Sequence, residues 1–351
     1  MMFRRIGLSL SSVRRPDSLT RLGRRTCEST TRPLASRRPT DAHKQRKPMG
    51  IDAPAPQSQI FSVITDDGVR LEGEVWEKEG TATVVLLHGI GQSRHSWRRA
   101  AKALAAADLQ VVTYDLRGHG NSDWSKNADY SRARAGADLR TVVEALALDA
   151  VAPPVLGGFS YGGDVALTYA ACGHRVAGIA LVDVAPHVDE DGNDEIQDFL
   201  ARSTAGFATL DEVAASVAEL NGDATPAPGA AMERHVRRDG GTLFWKWDPN
   251  VFDLDIDLEL RERELNEAVT ATSRTPLILV RGGMSTMLSD ESVRRLLAVR
   301  PDTEYVNVEG AGHSASGGTN DAFLSVVTGF CREVTVPDRE TTPATTQGPI
   351  R

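Results

Sequence analysis

Cysteine and long apolar runs are scarce in this chain of 351 residues. The three cysteines, Cys27, Cys172 and Cys331, are too few and too widely spaced for a disulfide framework or a CxxC metal site. No apolar run approaches the ~18 residues that a helix needs to cross a bilayer, which argues against an integral membrane protein. A hydrophobic content of 40% and a charged content of 25% exclude a collagen-like, coiled-coil or wholly disordered chain. The sequence therefore predicts a globular protein of one large domain or two small ones.

Acidic residues outnumber basic ones in the body of the chain. The formal net charge is −8, but residues 1–48 contain 13 Lys and Arg against 3 Asp and Glu, whereas the remainder contains 27 basic and 45 acidic residues. An acidic body argues against nucleic acid as the main partner. Because a membrane-spanning run is absent as well, we expect a small-molecule substrate as the partner, rather than nucleic acid or a membrane.

The basic amino-terminal segment, residues 1–57, is expected to be a disordered extension. It contains Arg pairs among Ser, Thr and Pro, short apolar spacings of three and four, and no acid before Asp17, a pattern that resembles a mitochondrial transit peptide. The alternatives are a plain disordered tail or a stretch upstream of a true start at Met49. The expected location is the cytoplasm, or the mitochondrial matrix if the segment is a transit peptide. Residues 336–351 are polar and rich in Pro and Thr, which predicts a second disordered tail.

Short apolar runs alternate with segments of helical periodicity between residues 58 and 335. A hairpin is predicted around Asp67-Gly68, between strands over 60–65 and 69–76. The next predicted strands are Thr83–Leu87, Gln110–Tyr114, Pro154–Phe159, Val176–Val182, Pro276–Val280 and Glu304–Val308, and helices are predicted near 96–107, 133–148, 162–172 and 290–299 and from 321. This alternation predicts βαβ units, and hence an α/β fold with a mostly parallel sheet flanked by helices.

One long segment, residues 187–270, interrupts the alternation. Its helix-like stretches, Asp194–Ser203 and Leu210–Leu220, are followed by Gly/Pro-rich sequence, and the whole is too long for a structureless loop. We predict an inserted helical cap, with residues 58–186 and 271–335 forming the core. Such a cap would cover a pocket at the carboxyl ends of the strands, where open α/β sheets bind ligands.

The strongest chemical signal is a G-x-S-x-G motif formed by Gly158, Ser160 and Gly162 between a predicted strand and a predicted helix. The spacing suits a sharp, strained turn that exposes the serine hydroxyl, because a larger residue two positions before or after the serine would collide with the crossing backbone. The glycine spacing does not fit the G-x-G-x-x-G of a dinucleotide-binding turn. The motif therefore indicates a nucleophilic serine.

Further motifs accompany this turn: His88-Gly89 after a strand, the run from Asp115 to Ser122 that matches D-x-R-G-x-G-x-S, and Ala311-Gly312-His313 after the last strand. Over residues 58–335 the chain thus resembles the α/β-hydrolase superfamily. The nearest resemblance is to a capped, serine-nucleophile branch of cofactor-free haloperoxidase or perhydrolase-like enzymes, esterases and lactonases.

The resemblance implies roles for individual residues. Ser160 would be the nucleophile and His313 its general base. The backbone N–H groups of Ile90 and Tyr161 would form the oxyanion hole. His88 is placed at the substrate pocket, where it is expected to orient the oxyanion loop. No cofactor and no metal are expected.

The third member of the triad is uncertain from the sequence, because the family's acid position after the penultimate strand holds Thr286. Three hypotheses compete. Asp183, at the end of the preceding strand, orients His313; Asp290 folds back to do so; or no acid serves. Against the second hypothesis, Asp290 is also expected in the first turn of the following helix, with Ser289 as the N-cap of that helix.

Trp245 and Trp247 in the predicted cap are notable because the chain has only five Trp. Either they form an aromatic wall of the substrate pocket, or they form the small core of the cap.

Together, the motifs and these candidate residues lead to the hypothesis of a serine hydrolase for a small carboxylic ester, thioester or lactone. The alternatives are a weakly catalytic ligand-binding or signalling protein, which Thr286 keeps open, and a perhydrolase or C–C bond hydrolase that uses the same groups.

Overall fold

The computed structural model describes residues 57–189, 198–199, 201–221, 225–252, 257–313 and 321–335. The predicted extension up to residue 56 and the predicted tail 336–351 lie outside these residues. So does the first part of the predicted helix Asp194–Ser203.

A mostly parallel sheet forms the centre of the described structure. The strands in chain order are β1 Gln59–Ile64, β2 Arg70–Trp76, β3 Thr83–Leu87, β4 Gln110–Tyr114, β5 Val155–Phe159, β6 Gly178–Val182, β7 Val236–Asp239, β8 Thr242–Trp245, β9 Leu277–Gly282 and β10 Glu304–Val308. Eight of these described strands pair in the order β1-β2-β4-β3-β5-β6-β9-β10. Only β2 runs antiparallel to its neighbours, β1 and β4. The predicted α/β class is confirmed.

Helices cover both faces of this sheet. The helices with bounds given within the described residues are α1 Arg98–Ala106, α2 Arg132–Ala145, α3 Tyr161–Ala171, α4 Leu210–Asn221, α5 Leu258–Ala271, α6 Asp290–Val299 and α7 Asp321–Thr335. Of these, α4 packs in a separate small apolar cluster and not on the sheet. Strand β3 shows why helices lie on both faces. All five of its residues are buried, and successive side chains point to opposite faces of the sheet. Val85 and Leu87 join the apolar cluster beneath α2, α3, α5 and α6. Val84 and Leu86 join the cluster beneath α1 and α7.

The predicted cap segment differs from the prediction in two ways. It is not wholly helical, because β7 and β8 form an antiparallel hairpin whose turn uses Gly240 and Gly241, at φ 55° and 93°. Its last helix, α5, packs on α3 and contributes Leu265 and Val269 to the main core, so the core resumes before residue 271. No helix over Leu258–Ala271 is among the predicted elements, so both this helix and the surface that it covers are findings of the structure.

None of the helices in the described part of the chain has both the length and the apolarity that crossing a bilayer requires.

Candidate active site

Ser160 occupies a strained turn between β5 and α3. Its backbone lies at φ 49° and ψ −125°, a conformation that L-residues rarely adopt. The turn needs glycine on both sides. A Cβ at Gly158 would lie 2.3 Å from the Gly162 carbonyl oxygen, and one at Gly162 would lie 2.4 Å from the Leu87 carbonyl oxygen. Strands β3 and β5 and helix α3 thus approach each other so closely at the carboxyl end of the sheet that neither position has room for a side chain.

His313 approaches from the loop after β10. Its Nδ1 lies 2.6 Å from Oδ2 of Asp183, and its ring lies 4.8 Å, centroid to centroid, from the ring of Phe159. Ser160 and His313 line the same cavity. An imidazole whose Nδ1–H donates to a carboxylate carries its accepting lone pair on Nε2.

Asp183 is the carboxylate that the structure brings to His313. It follows β6 at φ 52°, and its side chain is fully buried. Oδ1 accepts the backbone N–H of Gly282 at 2.8 Å, and Oδ2 accepts the hydroxyl of Ser285 at 2.6 Å. These bonds fix the carboxylate between β6 and β9. Sequence reasoning missed Ser285, since nothing in the chain marks a serine as the partner of an acid 102 residues earlier.

The other candidate acid lies elsewhere. Asp290 is the first residue of α6, pairs with Arg281 and has a side chain that is 85% exposed, while Ser289 caps the helix by accepting the Ser292 N–H. Thr286, at the position where the family carries its acid, lines the cavity. The hypotheses that Asp290 serves, or that no acid reaches His313, therefore disagree with the geometry.

The two expected oxyanion donors flank the serine. Ile90 lines the cavity in the loop after β3, and Tyr161 is the first residue of α3. Neither backbone N–H donates to another residue that the structure describes. A Cβ on Gly89 would lie 3.2 Å from the Ser160 Cβ, which shows how closely the Ile90 loop approaches the serine.

His88 does not line the cavity, contrary to its placement at the substrate pocket. It is fully buried, its Nδ1 lies 2.8 Å from the Gly89 carbonyl oxygen, and its Nε2 accepts the Leu116 N–H at 2.9 Å. Both ring nitrogens of His88 are engaged by backbone, so this side chain joins the loop after β3 to the loop after β4. Burial lowers the pKa of His88 to about 4.

The loop after β4 joins the core to the cap. Gly120 N–H donates to the Lys246 carbonyl, and Asp248 N–H donates to the Gly118 carbonyl at 2.8 Å. His119 in this loop accepts the Gly91 N–H at 3.1 Å, and burial and the neighbouring His88 lower its pKa to about 3. The D-x-R-G-x-G-x-S run therefore contacts both the loop of Ile90 and the segment that carries Trp245 and Trp247.

The cavity beside Ser160 has a volume of about 240 Å³ and a largely apolar wall. Trp245 and Trp247 line it, stacked at 4.7 Å between ring centroids, and they also belong to the small apolar cluster of the cap. The two tryptophans thus form part of the cavity wall and part of a small apolar cluster, and their role towards a substrate stays a prediction. The lining residues that sequence reasoning did not identify are Gly91, Gln92, Ser96, Phe159, Phe199, Val217, Leu220, Met232, His235 and Met287. They come from separate segments of the chain, with no local motif to mark them.

Within the described ranges, no group of three or more His, Cys, Asp and Glu side chains is arranged to hold a metal ion.

The buried histidines make the fold sensitive to acid. We expect the free energy of unfolding to fall by several kcal/mol between about pH 7 and about pH 4, because each pKa unit is worth about 1.4 kcal/mol. His88 and His119 bind protons in the unfolded chain below about pH 6.5, but in the folded chain only near their lowered pKa values of about 4 and 3. The unfolded state therefore gains more protons as the pH falls.

Urea unfolding at several pH values above about 4.5 measures this slope before carboxylates of lowered pKa, such as Asp67, begin to contribute. The His88→Asn variant should show a shallower slope. A free energy of unfolding that stays constant from pH 7 to pH 4.5 would contradict the prediction.

Known proteins resemble this chain in sequence and in fold. The family described as alpha/beta hydrolase fold matches residues 82–220. Protein phosphatase methylesterase 1 of Mus musculus is 31% identical over 169 residues, 45% of this chain and 43% of that protein, so the match spans less than half of that relative. An esterase of Mycobacterium tuberculosis is 27% identical over 291 residues, 80% of this chain and 91% of that protein. The crystal structure of an α/β hydrolase from Novosphingobium aromaticivorans matches with a TM-score of 0.67 and 23% identity, covering 80% of this chain and 100% of that chain.

Proposed function

Because the chain belongs to the α/β-hydrolase superfamily, we propose that it is a serine hydrolase that cleaves a small carboxylic ester, thioester or lactone through an acyl-enzyme on Ser160. The observation that carries the proposal is the 2.6 Å contact between Asp183 and His313 at the cavity that Ser160 lines. The two curated relatives described above, an esterase and a methylesterase, support an ester as the substrate.

In the first half of the reaction, the Ser160 hydroxyl attacks the ester carbonyl while His313 Nε2 takes its proton. Negative charge develops on the carbonyl oxygen, where the N–H groups of Ile90 and Tyr161 stabilise it. Each such donor typically contributes about 3 kcal/mol to lowering the barrier. The alcohol or thiol then leaves with the proton that His313 held.

In the second half, His313 takes a proton from water while the water oxygen attacks the acyl carbonyl carbon. His313 then returns this proton to the Ser160 oxygen as the acyl–serine bond breaks, and the carboxylic acid leaves. Asp183 keeps the Nδ1–H tautomer of His313 and stabilises the imidazolium that forms in both halves. The bonds from Gly282 and Ser285 hold the Asp183 carboxylate in place without neutralising its charge.

A weakly catalytic binding protein was the rival hypothesis, and it depended on the missing acid at Thr286. Because the Asp183 carboxylate contacts His313, the threonine at position 286 no longer favours that hypothesis. Perhydrolysis and C–C hydrolysis would use the same groups, but the esterase relatives favour ester hydrolysis.

A fluorophosphonate probe tests the proposal directly. We expect the probe to label the wild-type protein on Ser160, identified by mass spectrometry of the modified peptide, and to abolish turnover of p-nitrophenyl butyrate. The Ser160→Ala variant is the unlabelled control. Absence of both labelling and ester turnover in the folded wild-type protein would refute the proposal.

A further inference from the structure

A serine hydroxyl reaches the same oxygen of Asp183 that His313 contacts. Oδ2 of Asp183 lies 2.6 Å from His313 Nδ1 and 2.6 Å from Ser285 Oγ. The other oxygen, Oδ1, accepts the Gly282 N–H at 2.8 Å. The Asp183 side chain is fully buried, so these hydrogen bonds replace the water that would surround a carboxylate in solution. Ser285 thus supplies one of the bonds on which the buried charge depends.

The proton of the Ser285 hydroxyl is committed to Asp183. An ionised carboxylate only accepts hydrogen bonds, so Ser285 is the donor in this contact. The Met287 N–H donates to Ser285 Oγ at 3.2 Å, which engages the hydroxyl as an acceptor and leaves its proton for the carboxylate. The 2.6 Å length is typical of a hydroxyl that donates to a carboxylate, one of the stronger kinds of hydrogen bond in proteins.

Backbone contacts, rather than the Ser285 side chain, set the position of this segment. The Ser285 N–H donates to the Gly282 carbonyl at 2.9 Å, and the Met284 N–H donates to the Ala311 carbonyl at 2.9 Å. The second bond joins the loop after β9 to the loop that carries His313. Replacing the Ser285 side chain therefore leaves these backbone anchors in place.

We propose that Ser285 is a positioning residue for catalysis, whose hydroxyl holds Oδ2 of Asp183 in line with His313 Nδ1. The inference rests on the proposed esterase function and adds a residue to its machinery. Gly282 holds only Oδ1, so without the Ser285 hydroxyl the carboxylate is free to turn about its Cβ–Cγ bond and to move Oδ2 away from the imidazole. The imidazolium that forms in each half of the reaction then has a weaker negative partner, and the barrier rises.

Two variants of nearly equal shape isolate the hydroxyl. Ser285→Thr keeps it, and Ser285→Val replaces it by a methyl group on the same branched side chain. With p-nitrophenyl butyrate as substrate, Ser285→Thr should retain kcat within about threefold of wild type. Ser285→Val should lower kcat about ten- to hundredfold relative to Ser285→Thr, the usual effect of losing a hydrogen bond to a charged group, with KM within about twofold.

Ser289→Ala is the matched control in the same loop, because the Ser289 hydroxyl caps α6 by accepting the Ser292 N–H. This variant should be less stable than wild type in urea but should keep kcat within about twofold. A second control repeats the comparison of threonine with valine at position 285 in an Asp183→Ala background. The residual kcat values of the two proteins should then agree within about twofold, because the hydroxyl has no carboxylate to hold.

A fall in kcat of less than about fivefold from Ser285→Thr to Ser285→Val would overturn the inference. An equal fall in the Asp183→Ala background would also overturn it, since Ser285 would then act on the fold and not through Asp183. Urea unfolding checks that the variants fold, and if Ser285→Val does not, Ser285→Ala is compared with wild type by the same criterion. Wild-type protein that neither hydrolyses the ester nor reacts with the fluorophosphonate probe would refute the proposed function and this inference together. Wild-type turnover with an equally active Ser285→Val would overturn the inference alone.

Discussion

Replacing Asp183 by asparagine is expected to lower kcat for ester hydrolysis by about 10⁴-fold and to leave KM nearly unchanged. The substrate does not contact Asp183, whose side chain is fully buried behind His313. The loss therefore arises in the chemical steps rather than in binding, and kcat and KM from a p-nitrophenyl butyrate titration separate the two.

The size of the effect follows from the hydrogen bonds around this carboxylate. The Gly282 N–H requires an acceptor at Oδ1, so an asparagine would place its amide nitrogen at the position of Oδ2, facing His313 Nδ1. An N–H there forces Nδ1 to become the acceptor and moves the imidazole proton to Nε2. His313 could then no longer take the proton of Ser160, and the imidazolium would lose its negative partner.

Asp290→Asn is the matched control, since it makes the same chemical change in the exposed acid that competed for the role. Its kcat should stay within about twofold of wild type, as expected for an exposed ion pair. If Asp290→Asn reduced kcat and Asp183→Asn did not, the assignment of the triad acid would be reversed. If both left kcat unchanged, His313 would act without an acid.

The central strands β3 to β6 were predictable from sequence because they are buried on both faces. Strands β3, β4 and β10 and helix α6 have the predicted bounds, and the bounds of the other predicted core elements differ by one to three residues. A strand covered by helices on both faces needs an unbroken apolar run, and turn residues or helix caps bound each run. Local sequence therefore carries enough information to place these elements.

The cap was predicted less well for a physical reason. Its hairpin has strands of only four residues, with buried and exposed positions that reflect packing on neighbouring segments. The Asp239-Gly240-Gly241 turn was a usable signal, because consecutive glycines at positive φ favour a tight hairpin.

The triad acid illustrates a different limit. The sequence places Asp183 and Thr286 after two predicted strands, but only strand order decides which strand end faces His313. In the structure β6 lies between β5 and β9, so the residue after β6 is adjacent both to the serine turn and to the loop of Ser285. Strand order depends on long-range packing, which no local pattern encodes. The failure of His88 as a pocket residue has the same origin, since its burial results from the neighbouring β4 loop.

Gly162→Ala is expected to destabilise the protein by about 1–3 kcal/mol or more and to lower kcat by at least about 10²-fold. The new Cβ would lie 2.4 Å from the Leu87 carbonyl oxygen and 2.8 Å from the His88 carbonyl oxygen. Both are backbone atoms at the start of the Ile90 loop, so no side-chain rotation can relieve the clash. The loop must move away from the Ser160 turn, and the Ile90 N–H moves with it. Urea unfolding and kcat for p-nitrophenyl butyrate measure the two effects.

Gly329→Ala is the control, because it makes the same substitution in helix α7, where a new Cβ would have no atom within 4 Å. It should stabilise the protein by up to about 1 kcal/mol through helix propensity and leave kcat unchanged. A Gly162→Ala protein that folds and turns over like wild type would show that the turn tolerates a side chain there. In that case the close approach of β3 to the serine turn would not set the position of the oxyanion donor, and the roles given to Ile90 and Tyr161 would lose their structural basis.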